Sequence, residues 1–346
     1  MESVTEQNIK LTSKDFSSDQ EVKWCPGCGD YSILKQAQTI FPDINVPKEN
    51  LVFISGIGCS SRFTYYMDTF GMHSIHGRAA AIASGVKAAN PELSVWIVSG
   101  DGDSFSIGGN HLIHSLRKNF NFNYLVFNNQ IYSLTKGQYS PTSEKSKITK
   151  STPYGSIEDP FNPPELALGA NAAFVSRTID RDPKHMQMVL RRANDFKGTS
   201  FVEIYQNCPV FNDGAFFIFT EKETKKEEAL FLEQGKPLIF GQNDEKGIMI
   251  TDSFTCKIVN YKEEGIAPEN LWIHDEKNKT KAFLLSQFVN MEQNGEMFPR
   301  PFGILYAVER PVYEESLISQ INAIQAKKGK MTLDRILSGD KTWVIA

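Results

Sequence analysis

Short hydrophobic runs recur between residues 51 and 205 of this chain, and polar residues or glycine bound each of them. Runs of this length are typical of buried strands. They lie at residues 51–55, 95–99, 124–127, 172–176 and 201–205. Each run is predicted to form one strand of a common sheet.

The stretches between these runs carry apolar residues at helical spacing. Helices are predicted over residues 33–41 behind an Asp30 cap, over the alanine-rich residues 78–89 and over residues 183–196. Strands that alternate with helices predict an α/β fold, with a doubly wound, mainly parallel sheet. In such a sheet, ligands bind beyond the carboxyl ends of the strands.

A long segment and the last third of the chain depart from this alternation. Residues 136–165 are rich in Ser, Thr, Lys and Pro, and an irregular loop of this length is usually functional or mobile. From residue 221 the chain becomes highly charged. We therefore expect one domain at residues 1–220 and a C-terminal appendage of unknown role at residues 221–346.

Within the appendage, the apolar runs at residues 237–241 and 247–250 predict a hairpin. Helical patterns lie near residues 315–327 and 332–337.

Composition and charge narrow the class of protein. The chain has 346 residues, 40% of them hydrophobic, and a formal charge of −4, which is typical of a globular protein and argues against a nucleic-acid partner. No apolar run approaches the roughly 18 residues that span a membrane, and the N-terminal residues are too polar for a signal peptide. We therefore expect a cytoplasmic protein without a membrane partner.

The five cysteines are few and odd in number, which suits metal ligation in a reducing compartment better than a disulfide framework. Cys25 and Cys28 form a Cys-Pro-Gly-Cys motif that fits an iron-sulfur cluster, a zinc site or a redox dithiol. Cys59 and Cys208 each follow a predicted strand, so they are expected at the same sheet edge. Cys256 lies in an apolar-polar pattern and is predicted to be a packed thiol.

A second motif pairs Gly100-Asp101-Gly102 with Asn128-Asn129 after 25 intervening residues. Both parts follow predicted strands. Mg²⁺ prefers oxygen ligands, so a carboxylate and an amide on neighbouring strand ends could hold a diphosphate through one ion. Alone, Gly-Asp-Gly can be an ordinary turn. The imperfect Gly-x-Gly-x-x-Ser61 after the first strand keeps a Rossmann dehydrogenase as a second hypothesis.

Together these residues resemble the beta subunits of 2-oxoacid:ferredoxin oxidoreductases, and they are most similar to the 2-oxoglutarate branch. The resemblance covers roughly residues 20–215. Its motifs are WCPGCGD, GIGCSSRF, HGRAAAIASGVKAAN, GDGDSFSIGGNH, NNQIYSLTKGQYSPT and EIYQNCP.

The resemblance implies the diphosphate-binding half of a thiamine diphosphate fold, with Mg²⁺ and one 4Fe-4S cluster. It implies that the four cluster ligands are Cys25, Cys28, Cys59 and Cys208. The Mg²⁺ ligands would be Asp101, Asn129 and the backbone carbonyl of Ile131. The positions that line the cofactor would be Cys59, Ser60, His76, Gly100, Gly102 and Asp103, beside the Mg²⁺ ligands.

The activity implied by the resemblance is oxidative decarboxylation of 2-oxoglutarate to succinyl-CoA and CO₂, with electrons passed through the cluster to ferredoxin. A pyruvate-specific or broad-specificity relative is the alternative. The glutamate that activates the cofactor belongs to a pyrimidine-binding domain that this chain does not show, so an alpha subunit is expected to supply it.

Two cations are candidates for contact with the substrate. Arg62 lies three residues beyond Cys59, and Lys136 lies five residues beyond Ile131. A cation near the cofactor would favour the distal carboxylate of 2-oxoglutarate. The alternative for each is a surface cation or a phosphate contact. Beside the oxidoreductase, a Rossmann dehydrogenase and a zinc-stabilised interaction module remain open hypotheses.

Overall fold

A computed structural model of the chain describes residues 11–44, 46–329, 331–339 and 343. The helices are α1 (Asp30–Ile40), α2 (Phe63–Tyr66), α3 (Ala79–Ala89), α4 (Asp101–Phe105), α5 (Gly109–Lys118), α6 (Pro163–Gly169), α7 (Pro183–Asp195), α8 (Lys225–Glu228), α9 (Lys279–Gln287), α10 (Tyr313–Lys328) and α11 (Leu333–Ser338). The strands are β1 (Leu51–Ser55), β2 (Phe70–His73), β3 (Ser94–Gly100), β4 (Phe122–Asn128), β5 (Ile131–Tyr132), β6 (Gln138–Tyr139), β7 (Phe174–Ile179), β8 (Ser200–Tyr205), β9 (Ala229–Phe231), β10 (Ile239–Phe240), β11 (Lys246–Ile250), β12 (Cys256–Asn260), β13 (Glu292–Gln293), β14 (Glu296–Met297) and β15 (Arg300–Ala307).

An eight-stranded sheet organises the fold, in the order β2-β1-β3-β4-β8-β7-β15-β9. The strands from β2 to β7 in this order are all parallel, whereas β15 runs antiparallel to β7. The predicted α/β fold with a mainly parallel sheet is therefore confirmed. Four of the five predicted strands match closely, and the run at residues 172–176 forms a strand that starts at Phe174.

Two hydrophobic cores cover the two faces of this sheet. Phe53 and Trp96 belong to one core, whereas their neighbours Ile54 and Ile97 belong to the other. Successive side chains of a strand point to opposite faces, so the alternation places one core on each face. Helix α7 packs into the first core, and helix α3 packs into the second. This layering leaves the strand ends free to form a site.

The predicted Asp30 cap is wrong by one residue. Gly29 is the N-cap, and its carbonyl accepts a hydrogen bond from Ile33 N at 3.2 Å. Asp30 is instead the first residue of α1. The Asp30 carboxylate accepts no hydrogen bond from a backbone N–H of the described chain. At the N-cap, a Cβ on Gly29 would lie 1.8 Å from Asp180 Oδ2, so this position requires glycine.

The chain beyond residue 220 contains the predicted hairpin, formed by β10 and β11 with β12 as a third antiparallel strand. Helices α10 and α11 also match the predicted pattern. The region has its own apolar core, but β15 and β9 join the main sheet. The division at residue 220 stays a prediction, and the sheet crosses it.

Within the described residues, no helix combines the length and the apolar character that crossing a membrane requires.

Candidate functional site

A cleft of about 140 Å³ opens at the carboxyl ends of β1, β3 and β4. This is the edge of a parallel sheet where ligands bind. All nine residues that the resemblance assigns to the cofactor line this cleft: Cys59, Ser60, His76, Gly100, Asp101, Gly102, Asp103, Asn129 and Ile131. The fold therefore gathers residues from separate motifs around one space, and their contact with a cofactor stays a prediction.

Asp101 follows β3 directly and is only 2% exposed. Its carboxylate Oδ2 accepts hydrogen bonds from Ser140 Oγ at 2.5 Å and from Thr142 Oγ1 at 2.6 Å. Burial raises the pKa of Asp101, and the two hydroxyls oppose that rise. The irregular loop at residues 136–165 thus fixes the orientation of the carboxylate, and a cation in the cleft would favour its charged form.

A series of buried polar contacts continues from Asp101 into the sheet. The Thr142 hydroxyl has one proton, shared between Asp101 Oδ2 and Asn128 Oδ1, which lies 2.9 Å from Thr142 Oγ1. Asn128 Nδ2 donates to Glu203 Oε1 at 2.8 Å. Glu203 Oε2 accepts from Arg177 Nε at 2.7 Å. None of these side chains is more than 2% exposed. We call this series, from Asp101 to Arg177, the buried polar chain.

Asp103 lines the cleft, yet its carboxylate is already engaged. Oδ1 accepts from Gly77 N at 2.7 Å, and Oδ2 accepts from Ser99 Oγ at 2.9 Å. The same Oδ1 lies 3.9 Å from His76 Nδ1. A Cβ at Gly56 would lie 1.8 Å from Asp103 Oδ2, so only glycine permits this approach. Asp103 therefore holds the turn at His76 against the cleft.

The turn after β4 presents Asn129 and Ile131. Asn129 Oδ1 accepts from the backbone N of Ile131 at 3.1 Å, and Asn129 Nδ2 donates to Ser133 Oγ at 3.2 Å. The Tyr132 hydroxyl donates to the Gly102 carbonyl at 3.1 Å. A Cβ at Gly102 would lie 2.1 Å from Tyr132 Cε1. The second glycine of Gly-Asp-Gly is thus required for close packing of this turn.

Four cysteines lie near one another beside the cleft. Cys28 is close enough to Cys59 and Cys208 for their charges to affect its pKa, and Cys59 is similarly close to Cys208 and Cys25. Burial is the main cause that raises the pKa of Cys28, and burial raises the pKa of Cys59 to about 12. Burial therefore favours the protonated thiols of Cys28 and Cys59, so metal ligation must displace their protons.

The Cys25–Cys28 turn is anchored beyond the end of β8. Cys28 N donates to the Cys25 carbonyl at 3.0 Å, and Gly29 N donates to the Asn207 carbonyl at 3.0 Å. Gly27 takes a left-handed φ of +79° at the centre of the turn. Backbone contacts therefore bring this motif to the strand end that precedes Cys208.

Two other hypotheses were drawn from the sequence. In the described part of the chain, no group of three or more His, Cys, Asp or Glu side chains is arranged to hold a metal ion, and the zinc hypothesis stays untested. Helix α2, after the Gly-x-Gly turn, is only four residues long, whereas a dinucleotide fingerprint opens a full helix. Cys256 packs partly against the core of the C-terminal region, as predicted.

Neither cation proposed for substrate contact lines the cleft. Arg62 Nε donates to the Tyr66 hydroxyl at 2.9 Å, and its guanidinium lies 5.9 Å from the centroids of the Tyr65 and Tyr66 rings. Lys136 is exposed and has a φ of +77°. Substrate contact by either residue stays a prediction.

Several lining residues were not anticipated from the sequence. They are Ile57, Gly58, Ile107, Phe127, Tyr132, Ser133, Leu134 and Thr135. Seven of the eight lie within the motifs that carry the resemblance, and Phe127 directly precedes one, but no contact with the cofactor was expected for any of them. The apolar ones are indistinguishable in sequence from core residues. Membership of these motifs was the available signal.

Comparison with known proteins identifies the family. Residues 56–204 match the family model described as the thiamine pyrophosphate enzyme C-terminal TPP binding domain. The 2-oxoglutarate oxidoreductase subunit KorB of Mycobacterium tuberculosis is 48% identical, over 96% of this chain and 88% of that protein. The beta subunit of 2-oxoacid:ferredoxin oxidoreductase 1 from Aeropyrum pernix is 40% identical over 55% of this chain and 60% of that protein.

A solved structure is similar over nearly the whole chain. It is the 2-oxoglutarate:ferredoxin oxidoreductase from Magnetococcus marinus with 2-oxoglutarate, coenzyme A and succinyl-CoA bound. The TM-score is 0.74 at 30% sequence identity, and the match covers 96% of this chain and 97% of that one. The chain therefore belongs to the family of 2-oxoacid:ferredoxin oxidoreductase beta subunits.

Proposed function

We propose that this chain is the beta subunit of a 2-oxoglutarate:ferredoxin oxidoreductase, which converts 2-oxoglutarate and coenzyme A to succinyl-CoA and CO₂. The observation that carries the proposal is the cleft in which the buried Asp101 carboxylate meets Asn129 and Ile131. A pyruvate-specific or broad-specificity enzyme is the alternative, and relative kcat/KM values distinguish the two.

The cleft suits thiamine diphosphate held through Mg²⁺. Asp101 Oδ2 is occupied by two hydroxyls, and no side-chain donor among the described residues reaches Oδ1. Oδ1, the Asn129 amide oxygen and the Ile131 carbonyl make an all-oxygen set of the kind that Mg²⁺ prefers. When bound, thiamine diphosphate supplies the electron sink for loss of CO₂. The chain itself would orient the diphosphate through the bound ion.

The cysteine group suits one 4Fe-4S cluster. Thiolates are the ordinary ligands of such clusters, and four cysteines complete one. Cys208 is 6% exposed and Cys25 is exposed, so the group extends from the interior to the surface. Such a placement would let electrons leave the cleft towards a ferredoxin. All five cysteines are free, which suits the cytoplasm as the proposed compartment.

The proposed partner is an alpha subunit that completes the cofactor site. No glutamate is among the described residues that line the cleft, and the activating glutamate is expected from the alpha subunit. The purified beta chain alone should therefore show no oxidative decarboxylation.

The test is anaerobic purification with the alpha subunit, followed by measurement of iron, acid-labile sulfide and thiamine diphosphate, and of ferredoxin reduction. Single alanine variants at Cys25, Cys28, Cys59 and Cys208 should each lose the visible absorption of the cluster, while Cys256→Ala should retain it. Iron that survives all four changes refutes the cluster. Turnover by the beta chain alone refutes the division of the site between subunits.

A further inference from the structure

The Ser133 hydroxyl lies between the two candidate sites. Ser133 Oγ lies 3.2 Å from Cys208 Sγ and 3.2 Å from Asn129 Nδ2. It is also 3.5 Å from the carbonyl oxygen of Ile131. Ser133 therefore contacts the proposed Mg²⁺ ligands and one proposed cluster ligand with the same atom.

The two shorter contacts are compatible because they use different parts of the hydroxyl. The oxygen lone pair of Ser133 accepts from the Asn129 amide, which leaves the hydroxyl proton to be donated to the sulfur of Cys208. At 3.5 Å, the Ile131 carbonyl is a poor competitor for that proton. The arrangement fixes the Asn129 amide with its oxygen turned away from Ser133.

A second connection joins the same two segments. Asn212 N donates to the Cys208 carbonyl at 3.0 Å, and Asn212 Nδ2 donates to the Asn129 carbonyl at 2.9 Å. The turn that carries Asn129 and the loop that carries Cys208 are thus held together at two points. Since Cys208 is 6% exposed, water competes little with the Ser133 hydroxyl for its sulfur.

We propose that Ser133 is a positioning residue that couples the Mg²⁺-diphosphate site to the cluster, by orienting Asn129 and by donating a hydrogen bond to Cys208. The inference rests on the proposed function for the identity of the two bound groups. It adds a residue that neither the motifs nor the resemblance assigned. Hydrogen bonds to cluster sulfurs stabilise the more negative, reduced cluster and so raise its reduction potential.

Gln206 provides an internal comparison. Its Nε2 lies 3.2 Å from Cys28 Sγ and donates to the Asn207 carbonyl at 2.6 Å, and within the described residues its side chain has no hydrogen bond to Asn129 or Ile131. Loss of this donor should lower the potential without changing Mg²⁺ binding. Loss of the Ser133 hydroxyl should change both, because it contacts both sites.

The experiment uses the assembled, cluster-loaded enzyme with Ser133→Ala, Ser133→Thr and Gln206→Leu. Thr64→Val is the matched control, since among the described residues the Thr64 hydroxyl hydrogen-bonds to Ser55 and Ser61 and to no sulfur. The midpoint potential is measured by redox titration with EPR detection. The affinity for Mg²⁺ is measured by calorimetry in the presence of thiamine diphosphate.

Ser133→Ala should shift the midpoint potential downwards and weaken Mg²⁺ binding about two- to tenfold, the range expected for one hydrogen bond. Ser133→Thr should restore both values, Gln206→Leu should shift only the potential, and Thr64→Val should shift neither. A Ser133→Ala enzyme with a wild-type potential, or with a wild-type Mg²⁺ affinity, overturns the coupling. A wild-type enzyme that contains no iron instead overturns the proposed cluster itself, and the inference with it.

Discussion

Replacement of Arg177 by Met should leave the buried Glu203 carboxyl without its ionic partner. Arg177 and Glu203 are direct neighbours on β7 and β8, and they are 1% and 0% exposed. Their 2.7 Å contact corresponds to about 6 kcal/mol of attraction at an effective dielectric constant of about 20. Desolvation of both ions costs several kcal/mol, so the intact pair adds little net stability.

Removal of one partner is a different case, because the other remains buried. The Glu203 carboxyl of Arg177→Met would take up a proton rather than stay charged. A glutamate in water loses its proton near pH 4.3. For each pH unit above that value, keeping the carboxyl protonated in the folded variant costs about 1.4 kcal/mol more. The variant should therefore lose about 3.7 kcal/mol of stability at pH 7 but only about 1 kcal/mol at pH 5.

The direction of the pH dependence of stability follows from the number of protons bound in each state. The folded variant holds a proton that the unfolded chain releases above about pH 4.3, so unfolding becomes easier as the pH rises. The double variant Arg177→Met/Glu203→Gln carries no such carboxyl and should show no added pH dependence. It should also be more stable than the single variant at pH 7.

Urea unfolding at pH 5 and pH 7 measures these differences, with the fully buried Trp96 as a fluorescence probe. The midpoint of the first transition is compared among the wild type, the single variant and the double variant. An equal loss of unfolding free energy at pH 5 and pH 7 refutes the argument that the buried Glu203 carboxyl is protonated in the single variant. A loss below about 1 kcal/mol at pH 7 shows that Glu203 finds another partner or water.

Three further predictions concern the cleft. Thr142→Val should weaken Mg²⁺ binding about tenfold or more, because the charged Asp101 loses a hydrogen-bond donor. In calorimetry, Thr142→Ser should keep an Mg²⁺ affinity near that of the wild type, and equal affinities of the two variants would contradict the argument. Asp101→Ala should abolish Mg²⁺-dependent thiamine diphosphate binding, and unchanged calorimetry would exclude its role as a ligand. Gly102→Ala should displace the Tyr132 ring, which a Cβ would approach to 2.1 Å; a crystal structure with Tyr132 unmoved would disprove the packing argument.

The parallel part of the sheet could be predicted from the sequence because its strands are buried on both faces and read as continuous apolar runs. Strand β2 was missed since its residues are largely exposed at the sheet edge. Strand β15 was missed because it lies in a region whose composition differs from the rest, and because pairing with β7 depends on residues more than 120 positions away.

The motif residues of the cleft could also be predicted, since Asp101 and Asn129 follow strands that end at the same edge. The hydroxyls that orient the Asp101 carboxylate could not be predicted from the sequence. Ser140 and Thr142 lie in an irregular loop, where the sequence has no periodicity from which to infer a contact. Arg177 and Glu203 look like ordinary strand residues until the register of β7 and β8 places them side by side.

The antiparallel pairing of β15 with β7 has a consequence for biosynthesis. A ribosome completes β7 at residue 179 but does not reach β15 until residue 300. During that interval β7 is an edge strand whose six residues are all destined for the interior, and such edges pair readily with other chains. A nascent or truncated chain that ends near residue 220 would therefore be prone to aggregation. Strand β15 of the C-terminal region thus covers this strand edge only after most of the chain has been synthesised.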